Sequence, residues 1–175
     1  MNEHGKLSPD AKIESPRISL RLATMDDAKI LLEWRNDEFT RQSSIQTTPV
    51  LWEEHMKWLK PIVSGESHGR TIYIAEAEGV PVGMVRLDRE VDAETGKNFV
   101  EISYSVAPDA RGKGYGKAMV LHCKDTYMRG EDIKATIKKG HAPSEHIAIE
   151  LGLHPVAEKL SENPEDPRPV VEWRS

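Results

Sequence analysis

Cysteine is nearly absent: the 175-residue chain has one, Cys123. A disulfide framework needs pairs and a cysteine-rich metal site needs several ligands, so both are excluded. Long apolar runs are missing too. No stretch approaches the roughly 18 residues of a membrane span, and the opening Met1-Asn2-Glu3-His4-Gly5-Lys6 lacks the apolar segment of a signal peptide. The expected location is therefore cytoplasmic, with no membrane partner. Lys and Arg number 24 against 29 Asp and Glu, a formal charge of −5, and the basic residues are scattered. A nucleic-acid surface would show a basic patch, so no nucleic-acid partner is expected. Aromatics are few, with four Trp, four Tyr and two Phe. Three of the tryptophans, Trp34, Trp52 and Trp58, nevertheless fall within one short region.

What is present is organised around residues 99 to 127. Val100, Ile102, Tyr104 and Val106 alternate with Glu101, Ser103 and Ser105, the two-residue period of a strand with one face toward a core. Ala107-Pro108-Asp109-Ala110 stops it. Arg111-Gly112-Lys113-Gly114-Tyr115-Gly116 follows, and from Gly116 onward the chain carries no helix breaker. Glycines let successive backbone N–H groups turn toward one concavity, and the first helical turn adds unpaired donors and partial positive charge. An anionic group belongs there. A dinucleotide fingerprint would need glycine at Lys117 or Met119, and a P-loop would need Ser or Thr after a Gly-Lys pair, so neither fits.

The remaining chain reads as one domain over residues 17–175 behind a polar, mobile leader, residues 1–16, with no internal repeat. Ile18, Leu20 and Leu22 form a first strand, and Thr24 with Asp27 starts a helix that ends at Trp34-Arg35-Asn36. A second helix is expected from Thr48-Pro49 to Pro61. Residues 70–76 and 82–88 form a hairpin about Glu78-Gly79-Val80-Pro81, and residues 88–98 read as a polar loop. Ile133, Ala135 and Ile137 give a further strand, a helix runs from Lys139-Gly140-His141 to Gly152, and residues 155–160 and 170–173 make a last pair of strands. Cys123 packs inside the helix after the glycines.

The Arg-x-x-Gly-x-Gly pattern after a strand, with this order of elements, resembles the GNAT family of acyl-coenzyme A N-acyltransferases. The resemblance implies an α/β fold with a mixed, mostly antiparallel sheet of about seven strands flanked by about four helices. It implies acetyl-CoA as co-substrate, its pyrophosphate held by Arg111, Gly112, Lys113, Gly114, Tyr115, Gly116 and Lys117. Its pantetheine arm and acetyl carbonyl would meet Tyr104, Ser105 and Val106, where strands of this family splay, and His141 would lie beside the cofactor. Two departures stand out. The family's Asn-x-x-Ser becomes His141-Ala142-Pro143-Ser144, and its usual tyrosine position is Ala148.

Transfer from a thioester to an amine needs a deprotonated amine, a stabilised oxyanion and a protonated leaving thiolate. An alkyl ammonium has a pKa of about 10, so a base must act in the cleft. Glu101, on the strand leading to the glycine loop, is the candidate base, and Ser144 a candidate catalytic donor alongside His141 or water. His141 and His146 stand five apart, which does not stack two ligands on one helix face, so no metal site is expected. His55 lies midway between Trp52 and Trp58, suited equally to the acceptor cleft and to packing.

Residues 33–58 correspond to the acceptor-selecting wall of similar proteins, which implicates Trp34, Arg35, Asn36 and His55, with Arg86, in binding a small-molecule amine. Leu31-Leu32-Glu33-Trp34-Arg35-Asn36-Asp37 with Trp52, His55 and Trp58 resembles branches acting on amino-sugar nucleotides and on protein N-termini. Flat Trp faces with Arg35, Arg41 and Lys57 favour the amino-sugar nucleotide. A peptide amine, a polyamine, an aminoglycoside, or acyl-CoA binding without transfer remain alternatives. GNAT domains are often dimers, so a homodimer is an expectation of the resemblance.

Overall fold

The computed structural model describes residues 14–175. The alternating segments become seven strands: β1 (Ser19–Leu22), β2 (Arg70–Ala77), β3 (Val80–Val91), β4 (Asn98–Val106), β5 (Ile133–Lys138), β6 (His154–Lys159) and β7 (Val170–Arg174). They form one sheet in the order β1-β2-β3-β4-β5-β7-β6. All neighbours are antiparallel except β4 and β5, which run parallel. Five helices accompany them: α1 (Ala28–Asn36), α2 (Glu38–Ser43), α3 (Trp52–Ser64), α4 (Tyr115–Tyr127) and α5 (Ala142–Glu150). The mixed α/β class and the mostly antiparallel seven-stranded sheet agree with the resemblance. The fifth helix, α2, does not follow from the sequence reading, because none of its residues is buried and no apolar stripe announces it.

The two sheet faces carry different helices. Gly83 approaches Met119 of α4, and Tyr104 and Val106 approach Gly116. Arg86, of opposite parity on β3, instead lies over Trp58 of α3. Ile74, Val85, Leu87, Val100, Leu59, Met119, Val120 and Cys123 are fully buried between sheet and helices. Cys123 takes the packing place its position suggests.

Several boundaries move. The α3 helix starts at Trp52 rather than Thr48, because Val50 is clasped by Asn36 through two hydrogen bonds of 2.8 Å, and Glu54 caps the Leu51 amide. Pro61 does not end it: the helix runs on to Ser64, where Gly65 in the left-handed region closes it. Pro61 lies in the last turns, where its missing N–H costs the one bond to the Lys57 carbonyl, and its own carbonyl accepts from the Ser67 amide beyond the helix end. The hairpin turn narrows to Glu78-Gly79, with φ of 51° and 77°, the primed geometry that suits a two-residue turn. Residues 88–91 and 98 belong to paired strands rather than to the polar loop, since ladder bonds need backbone groups and not apolar side chains. Thr24 and Asp27 make the reciprocal capping box their spacing suggests. Of the leader reading, residues 1–13 lie outside the described residues. No helix among the described residues is long and apolar enough to cross a membrane.

Candidate active site

The parallel pair at the centre of the sheet is barely a pair. β4 and β5 are registered only at Val100 with Ile133 and Glu101 with Lys134, after which they part. The Val100 amide reaches toward β5, to the Asp132 carbonyl, whereas the Ala107 amide bonds Val82 on the β3 side. Alternation along β4 therefore turns the N–H groups of Tyr104 and Val106 into the opening and that of Ser105 back toward β3. Of the three expected to meet the pantetheine arm, Tyr104 and Val106 offer their amides to the gap.

Beyond β4 the chain passes through a short 3-10 turn, Pro108–Ala110, into the glycines. Gly112 and Gly114 adopt φ of 74° and 82°, a region that a side chain makes costly. Gly114 is the N-cap of α4 and offers no side chain to its amides, so the first-turn N–H groups remain available to an anion. A methyl group on Gly116 would stand 3.3 Å from Val106 Cγ2 and 3.4 Å from Ile147 Cδ1, which shows how closely α4, β4 and α5 converge. Lys117 pairs with Glu150 at 3.1 Å. Lys113 reaches the Asp109 carbonyl at 3.4 Å. Arg111 turns away from the glycines. Its Nη2 donates to Asp37 at 2.5 Å and to Thr40 Oγ1 at 3.1 Å, and its guanidinium lies 4.6 Å from the Phe39 ring centroid.

On the α4 and α5 side of the opening, the Tyr104 hydroxyl donates to Ser144 Oγ at 3.2 Å, and His141 Nδ1 stands 2.9 Å from the same oxygen. Burial raises the Tyr104 pKa against the opposing effect of the Ser144 bond. Burial, aided by Arg168, lowers that of His141. Both shifts favour the neutral forms of Tyr104 and His141. On the other face, Glu101 accepts from Thr136 Oγ1 at 2.8 Å and lies 3.7 Å from Lys134 Nζ. Its cross-strand partner Asp88 is held by Arg70 at 2.7 Å and by Arg86 at 3.0 Å.

The region expected to select the acceptor divides into frame and surface. Trp34 is buried in the core. Both amide atoms of Asn36 are spent on Val50. His55 is buried, and its Nε2 meets the Ala28 carbonyl at 2.7 Å, which joins α3 to α1. These three place the wall rather than line it. Arg35, Arg41 and Arg86 cluster. Arg35 and Arg41 donate to the carbonyls of Gln46 and Thr47, Arg86 lies 5.9 Å from the Trp58 ring centroid, and Arg35 Nη1 is buried without a hydrogen-bond partner among the described residues. Burial, then the charges of Arg41 and Arg86, lower the Arg35 pKa.

Sequence reasoning missed the remaining side of the wall. Buried Lys138 on β5 bonds Asp166 and the Gln42 carbonyl, Arg168 reaches the same carbonyl at 2.9 Å, and Asn163 reaches Ile45 at 3.1 Å. The loop between β6 and β7 is thereby tied to α2. A cleft of about 450 Å³ opens at this seam, lined by Glu38, Arg41, Gln42, Thr47, Glu165 and Arg168 among others. The only signal for it in the sequence is the acidic, proline-rich composition of that loop.

Residues 28–152 match the acetyltransferase (GNAT) family. Ribosomal-protein-alanine N-acetyltransferase from Brucella melitensis shares the fold with a TM-score of 0.74 at 22% identity, over 90% of this chain and 98% of that one. Spermidine N-acetyltransferase from Vibrio cholerae, solved with CoA and spermine, superposes with a TM-score of 0.76 at 16% identity, over 90% and 94%. The yncA protein of Salmonella typhimurium, solved with its cofactor acetyl-CoA, gives a TM-score of 0.72 at 19% identity, over 90% and 92%. No curated protein matches the sequence. With the family matched over most of its length, and with a splayed parallel pair leading into an uncapped, glycine-opened helix, this chain belongs to the GNAT family of N-acetyltransferases, whose co-substrate is acetyl-CoA.

Proposed function

We propose that the chain transfers an acetyl group from acetyl-CoA to a primary amine on a small molecule that also bears a phosphate or carboxylate, an amino-sugar nucleotide being the first acceptor to test. The cluster of Arg35, Arg41 and Arg86 carries this reading. Neither Arg35 nor Arg41 has a carboxylate within ion-pair distance among the described residues, and one buried guanidinium nitrogen of Arg35 has no partner. Guanidinium groups left to carbonyls alone favour a bidentate anion. They disfavour a polycation such as the spermine bound by the Vibrio neighbour.

In this reading the glycine loop and the start of α4 take the CoA pyrophosphate, with Tyr115 and Gly116 in the uncapped turn and Lys113 and Lys117 at its rim. The pantetheine arm enters the gap beside Tyr104 and Val106, past His141. Glu101, on the face shared with Arg86, removes the ammonium proton directly or through water. The amine attacks the thioester carbonyl, whose oxygen is met by a backbone amide at the splay. As the C–N bond forms and the C–S bond breaks, the nitrogen gives up its second proton, through water, to Ser144 while Ser144 passes its own to the thiolate, so the amide and the thiol leave neutral and the serine hydroxyl is restored. Attack is direct, since the chain's one cysteine is buried in α4 and offers no nucleophile.

Steady-state transfer should be compared across a uridine-diphosphate amino sugar, the free amino sugar, an alanine-led peptide and spermidine. The expected result is the highest kcat/KM for the anion-bearing sugar, with Arg35→Ala removing most of its advantage over the free sugar. Equal rates for the two sugars, or preference for spermidine, would overturn the acceptor assignment. Preference for the peptide would move it to the activity named for the Brucella neighbour.

A further inference from the structure

The α2 helix has no apolar anchor. Its six residues, Glu38–Ser43, include no buried side chain, and a helix this short does not hold itself in water. Polar pins hold it at both ends. At its C-terminal end, Lys138 and Arg168 bond the Gln42 carbonyl. At its N-terminal end, the N-cap Asp37 accepts from the Thr40 amide at 3.1 Å and receives Arg111 from the glycine loop. Arg111 also bonds Thr40 and stacks on Phe39, so one guanidinium engages three consecutive parts of the helix start. Burial opposes ionisation of Asp37, but the bonds from Arg111 and Thr40 outweigh it and keep the carboxyl below its ordinary range.

We infer that Arg111 is a positioning residue for the acceptor wall rather than a ligand of the CoA phosphates. Its charge is neutralised by Asp37 and its face is occupied by Phe39, while the glycine turn already supplies uncapped backbone donors with Lys113 and Lys117 beside them. What Arg111 does is fix α2 and, through it, Arg41, whose Nε bonds the Asn36 carbonyl and whose Nη1 bonds that of Thr47. The loop that receives one substrate thereby sets the wall that receives the other. The inference rests on the proposed acetyl transfer only in naming that wall's ligand.

The test uses the full chain with Asp37→Asn, Arg111→Ala, both together, and Arg111→Lys. Amide hydrogen exchange needs no acceptor. Residues 38–43 should exchange about tenfold faster in either single variant, the scale of one lost charge-assisted hydrogen bond, while β4 keeps its protection and so reports an intact fold. The double variant should be no worse than the worse single one, as expected for one shared interaction. Arg111→Lys should restore part of the protection. Acetyl-CoA affinity, measured by calorimetry, should change little in all four. With the uridine-diphosphate amino sugar, acceptor KM should rise while acetyl-CoA KM holds. Unchanged exchange over residues 38–43 would overturn the inference. So would a large loss of acetyl-CoA affinity in Arg111→Ala that Asp37→Asn does not share, since that is the behaviour of a phosphate ligand. If the sugar is no substrate at all, the acceptor assignment fails while exchange and calorimetry still decide the role of Arg111.

Discussion

The Tyr104 hydroxyl donates to Ser144 Oγ at 3.2 Å, a bond that ties the splayed end of β4 to the first turn of α5. Ser144 is left with its own proton to give, either to His141 Nδ1 or to a thiolate in the opening. With the family's tyrosine position taken by Ala148, buried in the core, the proposed donor is Ser144 on the same helix, held by Tyr104 of β4. Ser144→Ala should lower kcat by about a hundredfold, the low end of general-acid contributions, with acetyl-CoA KM nearly unchanged. Tyr104→Phe should lower it less. Stopped assays with an acetyl thioester of a more acidic thiol check the step, because a better leaving group should shrink both deficits.

Glu101 has one strong partner, Thr136, and a distant lysine, which leaves its second oxygen accessible to an incoming amine or water. Glu101→Gln keeps the Thr136 contact in shape but removes the base. The expected fall in kcat is about a hundredfold or more at neutral pH. It should narrow as pH rises toward the ammonium pKa of about 10, where the amine arrives deprotonated. A pH–rate profile of both proteins measures this, and a deficit independent of pH would remove Glu101 from the role.

His55 is buried against the Ala28 carbonyl, and burial lowers its pKa below the ordinary 6.5 despite that bond. The unfolded chain therefore binds this proton more readily than the folded one. Stability is full above about 6.5 and falls as pH drops toward the lower folded value, with His141 adding a slope of the same sign. Thermal unfolding from pH 7.5 to 5.5 should show the decline, and His55→Gln should flatten part of it.

Cys123 lies wholly inside α4, and burial pushes its thiol up to about 12. Neither access nor thiolate is available in the folded chain. A thiol-specific reagent at pH 8 should label it only as fast as the protein opens, and labelling should follow the denaturation curve. Rapid labelling without denaturant would show that α4 breathes locally.

The frame of the site was legible because it is written in local patterns. Val100, Ile102, Tyr104 and Val106 give the strand, Gly112 to Gly116 the turn, and Thr24 with Asp27 the first cap, each acting over a few residues. The proposed acceptor wall was legible only in part. Trp34, Asn36 and His55 were marked by type and neighbourhood, but each is spent on the frame, and a tryptophan or histidine carries the same letter in a core and in a cleft.

By itself the sequence determined the strands, the first cap and the glycine-opened start of one helix, since periodicity, glycine and capping act through the chain's own near neighbours, and the acyltransferase reading came from the resemblance those elements carry. Tertiary structure alone decided where charge is spent. Arg111 meets Asp37 across 74 residues, and Lys138 meets Gln42 across 96. No local rule specifies such pairs, because ionic and hydrogen-bond partners are chosen by distance in space and by what else is buried beside them.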